Sequence, residues 1–160
     1  MGKSNEALQE IQLSHHSIEQ WQRRKRELEW WVNHPKPEKR PKSLKWLKQD
    51  YVDEELYPVL QLLNQAGIPT EYSCAGVSLL DDPHDHSLYA YLTFYKKDLS
   101  SALMEYLLNR MKHRVIVVYE PARNRYDVSS FYIQHNRSFC LLLYHCAIQF
   151  LNHDRQEDNL

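Results

Sequence analysis

The chain has 160 residues, 42% of them hydrophobic and 26% charged, with a mean hydropathy of −0.68 and a net charge of −1. That is the length of one domain with enough apolar content for a core that needs no staples, and no apolar run reaches the roughly 18 to 20 residues that span a bilayer. Three cysteines (Cys74, Cys140, Cys146) with no CxxC pair argue against a disulfide framework and a zinc ribbon.

The opening MGKSNEALQE has no apolar leader, so the cysteines read as thiols of a cytoplasmic protein. Charge is unevenly spread. Residues 21–48 carry ten Lys/Arg against three Glu, a balance of +7, whereas residues 49–160 carry nine basic and fifteen acidic residues, a balance of −6. The pattern is a basic arm on an acidic body. It divides the chain into a Trp-rich helical arm and Pro-rich linker at 1–42, a body at 43–153 and a disordered tail at 154–160.

In chain order, residues 4–31 lack Gly and Pro, and Leu8, Ile11, Ile18, Trp21, Leu28 and Trp31 recur at helical spacing, which predicts one long N-terminal helix capped by Ser4. The three prolines of NHPKPEKRPK end it in an extended linker. SLKWLKQ reads as a short helix capped by Ser43. Asp53 is placed to cap a helix running to Ala66, with Leu56, Val59, Leu60 and Leu63 buried, Pro58 in its first turn and Gly67 as its stop.

IPTEYS and SLYAYLTFY read as strands, and Asp98 to Met111 as a helix. RVIVVYE and YDVSSFYIQ form a hairpin across PARNR, with Arg123 and Arg125 flanking the turn. The run 137–152 is apolar nearly all round and predicts a central helix, with His145 as one of its core residues. The expected body is therefore α+β: a mostly antiparallel four-stranded sheet in the order β-β-α-β-β-α, covered by helices and preceded by the long helical arm.

Three places could carry chemistry. In the Ser73-Cys74-Ala75-Gly76 turn, a sulfur at the end of a strand meets converging backbone N–H groups, which suits a thiolate, an anion or an oxyanion. Equally, Cys74 reads as a small buried hydrophobe and Gly76 as a source of positive φ. In DDPHDHS, His84 and His86 alternate on an extended segment and with Cys74 would supply three metal ligands or a nucleophile pair, although the spacing matches no standard zinc site and also suits a solvated loop.

The third place is the arm, where Trp21, Trp30, Trp31 and Trp46 lie among Arg23, Arg24, Arg26, Lys39 and Arg40. Cations that hold phosphates, interleaved with rings that stack on bases, suit a nucleic acid. The same residues suit an arm docked on the acidic body, or exchanged between two copies in a homodimer. Tyr89, Tyr91, Tyr126 and Tyr132 either line a cleft or ring the sheet.

The segment VDEELYPVLQLLNQAGIPTEYSCAG resembles the signature of the TYW3-like family of wybutosine-synthesis proteins. It matches at Asp53, Pro58, Leu62, Leu63, Asn64, Thr70, Ser73, Cys74 and Gly76 over about residues 52–76, a stretch that small bacterial and phage-type proteins share. The resemblance implies an α/β fold and a ligand site edged by the Ser73–Gly76 turn, with Cys74 as the catalytic candidate. It also implies S-adenosylmethionine as the cofactor of a methyl transfer to a modified guanosine of phenylalanine tRNA. The expected function is binding of a nucleotide-like ligand or nucleic acid at that turn, the alternatives being a non-enzymatic interaction module built on the arm and a metal site at Cys74, His84 and His86.

Overall fold

The computed structural model describes residues 9–34, 42–78 and 87–158, with side chains through 154. Its elements are β1 (Ile11–Gln12), α1 (Ile18–Asn33), β2 (Leu44–Leu47), β3 (Asp50–Asp53), α2 (Tyr57–Gln65), β4 (Thr70–Cys74), β5 (Tyr91–Tyr95), α3 (Asp98–Met111), β6 (Val115–Glu120), β7 (Arg125–Ser130) and α4 (Asn136–Asp158). Two single 3-10 turns, Lys112–Arg114 and Ile133–His135, lead into β6 and α4.

The main sheet has five strands in the order β1-β6-β7-β5-β4, every neighbouring pair antiparallel. Alternation along the strands sends Leu92, Phe94, Val115, Val117, Tyr126 and Val128 to one face, where all are buried. The apolar stripes of α2, α3 and α4 pack against that face in one continuous core. Asp127, Ser129, Ile116 and Val118 alternate onto the opposite face and are only partly buried. The α+β class and the β4-β5-α3-β6-β7-α4 order follow the reading of the body.

Other parts of that reading are corrected. The N-terminus is not one long helix. Residues 9–17 run extended, and Ile11 and Gln12 pair with Tyr119 and Val118, adding the fifth strand to the expected four. Helix α1 starts only at Ile18 because Ser17 caps it: its hydroxyl accepts the Gln20 N–H at 3.1 Å while the Gln20 side chain accepts the Ser17 N–H at 2.8 Å.

SLKWLKQ is not a helix either. It forms β2 and its turn, paired with β3 so that Trp46 lies opposite Tyr51 with ring centroids 5.0 Å apart. Its turn places Lys48 at φ 57°. Helix α2 begins at Tyr57, with Pro58 in its first turn as expected, and Asp53 does not cap it. His145 is exposed on α4 rather than in the core, because the buried stripe runs through Phe139, Leu143, Cys146, Ala147 and Phe150.

Candidate functional site

Strand β4 ends at Cys74 beside the β2–β3 hairpin, and between them opens a cleft of about 530 Å³. A register shift in β4 between Thr70 and Ser73 makes room for it. There the Tyr72 N–H donates to Thr93 Oγ1 at 2.8 Å instead of to a ladder carbonyl, and the Tyr72 ring stands 55% exposed. The aromatic walls are Tyr51, Tyr72 and Tyr91, and the polar floor is built from Asp53, Asn64, Ser73 and Cys74. Asp50, Glu71 and Lys48 stand around it, and Arg125 pairs with Glu71 at 3.3 Å, so the carboxylates of Asp50 and Asp53 stand against the one ammonium of Lys48.

The Ser-Cys-Ala-Gly turn forms one edge of this cleft, and its residues divide by role. Ser73 and Cys74 line the space, whereas Ala75 and Gly76 are buried beneath it. The Ala75 N–H donates to Asp53 Oδ2 at 2.7 Å, so the residue read as a helix cap anchors the turn instead. Gly76 has φ +74°, and a Cβ there would meet the Ala90 nitrogen at 2.6 Å and the Asn136 side-chain amide closer still. Both facts require glycine.

Asn136, the first residue of α4, closes the turn from the far side. Its amide nitrogen donates to the Val77 and Leu88 carbonyls, both at 2.7 Å, and its oxygen accepts the Ala90 N–H at 2.9 Å. Sequence reasoning missed it, since an Asn before an apolar run signals only a helix start. It also missed the hairpin wall with Tyr51.

Cys74 Sγ accepts the Gly76 N–H at 3.4 Å. Burial pushes its thiol up, against the smaller opposing influence of the Gly76 and Ser87 N–H groups, and nearby Asp53 pushes it the same way as burial. At neutral pH Cys74 is therefore a protonated thiol and a poor nucleophile. Cys140 is more deeply buried and pushed up to about 12, first by burial and then by Glu55. Below the turn, the buried Lys42 ammonium pairs with Glu55 at 3.1 Å.

The expected metal partners His84 and His86 lie outside the described residues, as do the expected phosphate contacts Lys39 and Arg40. Among the described residues, the group of acidic, His or Cys side chains close enough to share an ion is Glu10, Glu120 and Asp127. Arg125 already reaches Glu120 at 2.9 Å and Asp127 at 3.6 Å.

The arm residues also divide. Arg24 donates to the Phe131 carbonyl at 2.7 Å and lies 4.0 Å over the Tyr89 ring, so it fastens α1 to the body. Glu27 does the same from the next turn, its carboxylate accepting the Ile133 and Gln134 N–H groups at 2.6 and 3.0 Å. Trp31 is buried with Val77 and Ile133. Arg23 holds its guanidinium 4.4 Å over the Tyr132 ring on an otherwise exposed side chain, and Arg26 is exposed.

No helix among the described residues is long and apolar enough to cross a membrane. No protein-family profile, no curated protein and no solved structure matches this chain.

Proposed function

We propose that this protein binds a small nucleoside-like ligand in the cleft between the β2–β3 hairpin and the Ser-Cys-Ala-Gly turn. The observation that carries the proposal is the lining: three tyrosine rings that can flank a planar base, over a floor with the Asp53 carboxylate, the Asn64 amide and the Ser73 hydroxyl, groups suited to ribose hydroxyls. The excess of carboxylates disfavours a phosphate-rich ligand at this spot, which narrows a nucleotide-like ligand to its nucleoside part. The resemblance of residues 52–76 to wybutosine-synthesis proteins supports the same reading, and S-adenosylmethionine belongs to the ligand class through its adenosine. Cys74 then serves as a wall of the site and a donor or acceptor of one weak hydrogen bond, not as a nucleophile.

Thermal-shift titration with adenosine, S-adenosylmethionine, ATP and tRNA tests the proposal. A ligand at a hundredfold excess over its Kd adds about 2.7 kcal/mol of stability. Adenosine and S-adenosylmethionine are expected to stabilise more than ATP, and Tyr72→Ala to remove the effect without unfolding the chain, because Tyr72 is largely exposed. No stabilisation by any of the four would end the proposal.

A second reading rests on the cleft's outer lip, where Leu44 and Trp46 are 54% and 56% exposed beside Tyr51. Such a patch suits a protein partner, including a second copy of the chain. An arm-exchanged dimer is the less favoured form of it, since Arg24, Glu27 and Trp31 already seat α1 on its own body. Native mass measured for the wild type and for Trp46→Ser decides the self-association version: a monomer at every concentration in both removes it.

A further inference from the structure

At the far end of the sheet from Glu120, where β6 begins, lysine, arginine and histidine side chains gather from separate parts of the chain. Arg23 comes from α1, Lys112, His113 and Arg114 from the 3-10 turn before β6, His135 from the turn before α4, and His15 from the segment before α1. Direct contacts link much of the series. Arg23 lies over the Tyr132 ring at 4.4 Å, Tyr132 packs edge-on against His135 at 5.4 Å, and the Ser138 hydroxyl donates to the His135 carbonyl at 3.0 Å and accepts from Arg114 Nη1 at 3.2 Å.

His15, Lys112 and His113 also line a groove of about 430 Å³ with Ser14, Gln20 and Asn109, and none of its lining residues is acidic. Among the described residues, Arg23, Lys112 and Arg114 have no carboxylate partner, whereas Lys42, Lys45, Arg123 and Arg125 each have one within 4.0 Å.

Holding like charges together costs energy, and so does the backbone that presents them. Lys112 sits at φ 51°, ψ −124°, a conformation that only glycine adopts cheaply. Burial, with the charges of Arg114, Arg23 and His113, holds the His135 imidazole below its ordinary range, as expected where no counter-ion is present. A bound polyanion would relieve the repulsion among these charges, though not the backbone cost at Lys112.

We propose that this face binds the phosphate backbone of single-stranded nucleic acid, along a track from the Lys112–His113 groove through Arg114 to Arg23. The surface is separate from the nucleoside cleft, and the proposal does not depend on that reading. Two features favour a nucleic acid over an acidic protein: a groove whose apolar lining is limited to Leu13 and Leu108, and an aromatic side chain, Trp21, two residues before Arg23 on α1 and 38% exposed, within reach of a base.

Fluorescence-anisotropy titration of labelled oligouridylate and oligothymidylate over a range of salt tests the inference on the full chain. Neutralising three phosphates, one each at Arg23, Lys112 and Arg114, gives a log Kd that rises with log salt at a slope of about 2. Arg23→Gln with Lys112→Gln is expected to cut that slope by about 1.4 and to weaken binding at least tenfold. Arg123→Gln, near the other end of β6, changes neither. Both substitutions are on exposed side chains, and an unchanged urea midpoint confirms that the fold is kept. The inference is overturned by absent or salt-independent binding, by full binding in the double variant, or by polyglutamate displacing the oligomer as well as unlabelled oligouridylate does.

Discussion

Asn136 shows how one side chain sets the cleft. Three backbone groups on either side of residues 79–86, the Val77 and Leu88 carbonyls and the Ala90 N–H, converge on its amide, and the side chain is almost wholly buried. Alanine would leave the buried Val77 carbonyl and Ala90 N–H without this partner, and the Leu88 carbonyl with only the 3.4 Å bond from the Val77 N–H; each unsatisfied buried group costs about 1–3 kcal/mol. Asn136→Ala is expected to lower unfolding stability by roughly 3 kcal/mol in urea titration, against less than about 1 kcal/mol for Ser138→Ala two residues on. Asn136→Asp separates donation from bulk. It retains the acceptor for Ala90 but turns an oxygen toward two carbonyls, so it should lose about as much as alanine; a near-neutral Asp variant would show that the two donated bonds contribute little.

Among the elements, the segment from Glu10 to Ser17 depends most on one titratable group. His16 stacks on the buried Phe131 ring at 3.8 Å and 3°, meets Trp21 edge-on, and bonds Ser14 Oγ through Nε2 at 3.2 Å, while its Nδ1 is buried without a partner. Burial first, and then the charges of Arg24, His113 and His15, lower its pKa to about 4. A histidine whose folded pKa lies below its unfolded value of 6.5 takes up protons more readily when unfolded. Its contribution is complete above pH 6.5 and is lost as pH falls toward 4. The unscreened shift corresponds to about 3 kcal/mol, which partial solvent exposure reduces to on the order of 1–2 kcal/mol. Urea unfolding at pH 7, 5.5 and 4.2 should show this loss in the wild type and a shallower slope in His16→Phe; equal slopes in the two proteins would remove His16 as the source.

The same segment shows what was legible in the sequence. The helices of the body and its β-β-α-β-β-α order follow from apolar periodicity, because α2, α3, α4, β5, β6 and β7 each bury apolar residues in one core, while β4, which buries only Cys74, is marked by its motif. Residues 9–17 bury only Ser14 fully and Leu13 and His16 in part, too little to show a strand period, so periodicity misread them as helix; the signal that limits α1 was the Ser17-x-x-Gln20 capping box. The β2–β3 hairpin was hidden for another reason. Its turn at Lys48–Gln49 has neither Gly nor Asn, and Lys48 takes positive φ because the Trp46–Tyr51 pair and the packing of Leu47 and Val52 on the core fix the register around it. At the cleft, the turn was legible from its motif, whereas Tyr51 and Asn136 enter only through tertiary contact.

At the scale of the whole molecule, the sheet has two edges and each is protected differently. The β4 edge lies beside the β2–β3 hairpin, and the gap left between them is the cleft. The β6 edge is covered only by β1 and the residues after it. Ile11 and Gln12 pair with Tyr119 and Val118, the Leu13 N–H donates to the Val117 carbonyl at 2.8 Å, and Ser14 Oγ accepts the Val117 N–H at 3.1 Å. Without that cover, the apolar strand VIVVYE would present a bare row of N–H and C=O groups, a template for pairing with another copy. Removing residues 1–16, which spares the Ser17 cap, deletes these bonds together with the His16 stack. At about 1 kcal/mol for each bond and a similar amount for the stack, the loss is roughly 3–4 kcal/mol, or about 10 °C in Tm for a chain of this length. Calorimetry should show that drop, and sedimentation should show association that grows with concentration in the truncated form alone. A truncated chain that stays monomeric and melts with the wild type would mean that β1 neither stabilises β6 nor guards it.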